Sequence, residues 1–98
     1  THAFRLSFDG EVVDFFEDKT RFSLPNLSFL YREKKYDIVG FIRNREFFIE
    51  EDELKLMSMT ASPVPGGKEY AVTIYEDALP LAVYFAAVII MDICFHNY

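Results

Sequence analysis

The stretch Ala78-Leu79-Pro80-Leu81-Ala82-Val83-Tyr84-Phe85-Ala86-Ala87-Val88-Ile89-Ile90-Met91-Asp92 decides what kind of molecule this is. No residue between Asp77 and Asp92 carries a charge. Wound into a helix, the segment has no polar face to turn towards water, so lipid or protein must enclose it. Asp77 suits the N-cap, and Pro80 falls in the first turn, where its missing N–H costs little. Acidic residues there also suit the positive end of the helix dipole. The expected helix runs over residues 78–94.

Lipid and protein make different demands on that helix. A membrane span takes about 20 predominantly apolar residues, with a lower limit near 17. The uncharged run stops short at Asp92, and a carboxylate deep in a bilayer is costly. No Lys or Arg follows to fix an orientation. These features favour a helix wrapped by the chain's own strands. The alternative is a small membrane-anchored protein with a C-terminal transmembrane helix and residues 92–98 as an interfacial tail.

Upstream of Asp77 the pattern is one of strands and short turns. Phe4, Leu6 and Phe8 alternate with Ala3, Arg5 and Ser7, the period of a half-buried strand. Asp9-Gly10 is the dipeptide best suited to a two-residue hairpin turn, and residues 11–16 return as its partner. Glu17-Asp18-Lys19-Thr20 reads as a polar turn, and residues 21–24 as a short strand ended by Pro25. Residues 27–32 form the next strand, with Glu33-Lys34-Lys35 as its turn. In residues 36–43, Ile38, Gly40 and Ile42 face one way and Val39 and Phe41 the other, which predicts a strand between two layers. Arg43-Asn44-Arg45 turns into residues 46–50, and the acidic run Glu50-Glu51-Asp52-Glu53 turns into residues 54–60. Ser62-Pro63-Val64-Pro65-Gly66-Gly67-Lys68 reads as the longest loop, and residues 70–75 as the last strand. The expectation is one domain of about seven strands over residues 3–75, mainly β and antiparallel, with one C-terminal helix.

Composition supports such a core. Half of the 98 residues are apolar, and 11 Phe and 6 Tyr dominate, with no Trp. Each buried ring removes roughly 150–250 Å² from water, so a few can hold a small sheet together. The net charge of −6 argues against a nucleic-acid partner, which needs a basic face to exchange counterions. Arg32, Lys34, Lys35, Arg43 and Arg45 read as solvated hairpin ends. The single Cys94 excludes an internal disulfide framework and fits a reducing compartment. Thr1-His2-Ala3-Phe4-Arg5 runs straight into strand sequence, with no signal peptide to read, and no initiator Met precedes it.

The candidates for chemistry are few. Cys94 and His96 could supply two metal ligands, but structural zinc wants four, and His2 is the only other histidine. Residues 50–53 lack the ligand spacing and central glycine of an EF-hand loop. Asp14 shares a strand face with Val12 and Phe16 and reads as outward-facing near the sheet edge. Asp77 and Asp92 read as structural anchors, the second locking the helix terminus by accepting backbone N–H groups. An enzyme using Asp14 or Asp92 is the third possibility, and no convergent acid–base pair supports it. Ser23, Ser28, Ser58 and Ser62 lack a nucleophile-elbow context, and no helix follows Gly66-Gly67 to cradle phosphate. The reading is therefore of a non-enzyme with no cofactor and no metal.

Tyr70-Ala71-Val72-Thr73-Ile74-Tyr75, followed by the Ala/Val/Ile-rich run Leu81 to Asp92 ending Ile89-Ile90-Met91-Asp92, resembles the ending of LURP-one-related proteins of the tubby C-terminal-like superfamily. In that family the last strand typically reads Tyr-x-Val-x-Ile, and the following helix ends in an Ile-Asp or Leu-Asp step. The closing Phe95-His96-Asn97 is similar to the bacterial branch. The resemblance implies an antiparallel β-barrel wrapped around the hydrophobic helix. It also implies a binding or scaffold role, a cytoplasmic or membrane-peripheral location, and phospholipid as a ligand class. A full domain of that family has more strands than this chain, so the barrel is expected to be incomplete. Either a missing N-terminal half or self-association would then complete it.

Overall fold

The alternation of Phe4, Leu6 and Phe8 recurs in residues 11–17, 34–41 and 67–74 and is broken in residues 27–31, 46–51 and 54–64, where adjacent residues are buried. In a computed structural model that describes residues 3–18 and 26–95, seven antiparallel strands form one sheet in sequence order. They are β1 (Ala3–Phe8), β2 (Glu11–Glu17), β3 (Leu27–Tyr31), β4 (Lys34–Phe41), β5 (Glu46–Glu51), β6 (Leu54–Val64) and β7 (Gly67–Ile74). Among the described residues the sheet curls into a half-barrel open between β1 and β7, and α1 (Leu81–Phe95) lies along its concave face. The mainly-β class with a single C-terminal helix matches the expectation. The short strand expected at residues 21–24 lies outside the described residues.

Tight turns keep consecutive strands adjacent. Asp9 and Gly10 both have positive φ (45° and 76°), as a two-residue hairpin turn matched to strand twist requires. The same geometry occurs without glycine at Arg32–Glu33 (49° and 66°) and at Asp52–Glu53 (48° and 71°). The turn expected at Glu33-Lys34-Lys35 is thus one residue early and one shorter, and both lysines belong to β4. Between β4 and β5 the chain makes a single 3-10 turn, Ile42–Asn44.

The breaker-rich segment from Ser62 to Lys68 is not a loop. β6 and β7 pair through it, with Pro63 opposite Lys68 and Val64 opposite Gly67, and only Pro65 and Gly66 form the turn. Gly66 has φ 87°, the value demanded at the third position of a type II turn after proline. Pro63 is tolerated because β5 stops pairing at Thr60, so its missing N–H lies on an unpartnered side. A bulge in β6 accounts for two adjacent buried residues, Leu56 and Met57, where strict alternation would expose one. The Leu56 carbonyl accepts the N–H groups of Tyr75 and Glu76, at 2.8 and 3.3 Å, where the chain leaves β7.

One core fills the concavity. Val13, Phe15, Leu27, Phe29, Tyr31, Tyr36, Ile38, Phe47, Ile49, Leu56, Met57 and Met59 line the sheet. Leu79, Val83, Tyr84, Ala87, Ile90 and Met91 meet them from the helix side. Phe15, Phe29 and Tyr36 stand opposite one another across β2, β3 and β4. Their ring centroids are 4.9 and 5.0 Å apart, within the favourable range for aromatic pairs. The convex face carries no second layer among the described residues, contrary to the two-layer expectation for residues 36–43. Val39 is half-buried there and Phe41 is exposed. Phe48 is shielded instead by the edge of Phe41 and by the Lys55 ammonium, 4.2 Å above its ring.

The helix begins three residues later than expected. Residues 75–80 run without regular structure, and Pro80 supplies the first helical acceptor, to Val83 N–H at 2.9 Å and Tyr84 N–H at 3.4 Å. Asp77 is therefore exposed in the connection and is not the N-cap. Tyr84 does the anchoring at this end: its hydroxyl donates to the Glu76 carbonyl at 2.6 Å. Among the described residues no helix is long and apolar enough to cross a membrane.

Candidate functional site

A 15-residue helix with no polar face still has two sides once the sheet is in place. Val83, Tyr84, Ala87, Ile90 and Met91 enter the core. Leu81, Phe85, Ile89 and Ile93, spaced four residues apart, form a stripe on the other side and are 57, 55, 60 and 56 % exposed. The stripe looks out through the mouth of the half-barrel. On either side of that mouth run the half-buried inner rows of the terminal strands, Phe4, Leu6 and Phe8 on β1 and Tyr70, Val72 and Ile74 on β7. Among the described residues each of these strands pairs with one neighbouring strand, β2 and β6 respectively.

The polar feature of the mouth is a latch between β7 and α1. The Tyr70 hydroxyl donates to Asp92 Oδ1 across an open depression shared with Gly67 and Lys68. Burial, then this hydrogen bond and the carboxylate charge, push the Tyr70 phenol up to about 12. Asp92 is half-buried, and its described partner is this phenol rather than the backbone N–H groups expected. The signal for that partner lay in the period-2 pattern, which puts Tyr70 on the same inner face as Val72 and Ile74. Burial also raises the phenols of Tyr36 and Tyr84, and raises the Cys94 thiol with help from the nearby Glu17 charge.

The other candidates are placed apart from one another. Asp14 faces outward on β2 and receives Arg5 Nε at 2.6 Å and Arg5 Nη2 at 3.3 Å from the opposite position of β1. It is a surface pair of the kind that stabilises little. Arg32 pairs with Glu11, whose carboxyl it holds below the usual range, Lys34 lies 3.6 Å from Glu51, and Lys35 pairs with Asp18. Arg32, Lys34 and Lys35 thus each sit against a carboxylate. Ser28 donates to Asp37 at 2.9 Å, and the Ser58 hydroxyl is 3.0 Å from that of Tyr75. His2, His96 and Ser23 lie outside the described residues. Among the described residues no three His, Cys, Asp or Glu side chains gather as metal ligands would.

In comparisons with known proteins, no family model matches the chain, and neither does any curated protein or solved structure.

Proposed function

We propose that this chain is a non-catalytic β-barrel module of the LURP-one-related, tubby C-terminal-like kind, acting by binding or scaffolding through its mouth. The observation that carries the binding role is the apolar stripe Leu81, Phe85, Ile89 and Ile93, exposed on the side of the helix turned away from the sheet. Large exposed apolar patches mark interaction sites rather than ordinary surface. The family reading is supported by the Tyr70–Asp92 bond. It joins the first residue of the Tyr-x-Val-x-Ile strand to the aspartate that ends the Ile/Met run of the helix. The net charge of −6, and a stripe without Lys or Arg, favour a protein surface over an anionic phospholipid one.

The test is a benzophenone photoprobe at Ile89, with one at Leu30 on the convex face as control. Irradiated in a cell lysate, the Ile89 probe is expected to yield protein adducts that the Leu30 probe does not. Equal yields from both positions would remove the mouth as a binding surface. Probe-to-lipid adducts with purified protein and phosphatidylcholine vesicles, with or without phosphatidylserine, would replace the protein partner with phospholipid.

A further inference from the structure

No further inference is drawn: the strongest candidate, the exposed apolar stripe Leu81, Phe85, Ile89 and Ile93 along the outer side of α1, belongs to the site already described, and nothing in the structure shows what covers it.

Discussion

Tyr84 tests how the helix is held. Its ring is fully buried in the shared core, and its hydroxyl donates to the Glu76 carbonyl at 2.6 Å, tying the connection at residues 75–80 to the first turn. Tyr84→Phe keeps the ring and removes the bond, at a cost of about 0.5–1.5 kcal/mol. Tyr84→Ala removes both and leaves a cavity between helix and sheet, costing about 3–5 kcal/mol for the ring and about 1 more for the bond. Domains of this size have about 5–15 kcal/mol in total, so the alanine variant is expected to be marginal or unfolded. Urea titrations at one fixed protein concentration measure both, because association would make the midpoint concentration-dependent. The phenylalanine variant is expected to melt about 4–8 °C lower per kcal/mol lost. A Tyr84→Ala variant less than about 1 kcal/mol weaker than wild type would refute the packing of α1 on the sheet.

Three further outcomes follow from particular residues. Tyr70→Phe cuts the latch to Asp92, and the wild-type phenol is raised from 10 to about 12 on folding. The stabilisation it gives is complete below pH about 10 and lost as pH rises towards 12, so urea midpoints should fall over that window in wild type and less in Tyr70→Phe. Gly66→Ala meets no neighbouring atom, but its φ of 87° penalises any Cβ. It should destabilise the β6–β7 hairpin by about 1–2 kcal/mol in a denaturant titration. Cys94, half-buried with its thiol pushed upward, should react with iodoacetamide at pH 8 more slowly than a free thiol. A faster reaction would contradict its environment.

Much of the fold was legible where side-chain period and turn chemistry agree. Alternation in residues 3–8, the Asp9-Gly10 pair and the apolar run after Pro80 each led to an observed element. Errors fell where a local signal was silent or overridden. Arg32–Glu33 adopts positive φ without glycine, asparagine or aspartate, so nothing in its identity marks where the two-residue turn falls. Pro63 and its neighbours carry loop chemistry, yet pairing with β7 on one side only leaves room for a proline. Asp77 is a good cap by type, but Tyr84 draws the Glu76 carbonyl to the helix and Pro80 provides the start. The mouth was hidden for a different reason. Phe85 and Ile89 are as apolar as Tyr84 and Ile90, so hydropathy alone could not separate the covered side from the bare one.

The most direct measurement is thiol labelling at two helix positions in a Cys94→Ser background. Ala87→Cys lies on the side facing the sheet, where Ala87 is fully buried, and Ile89→Cys lies on the stripe, where Ile89 is 60 % exposed. A maleimide is expected to modify position 89 rapidly in dilute native protein and position 87 only at the rate of unfolding. Rapid labelling at position 87 would mean the helix does not rest against its own strands, and the account would fail.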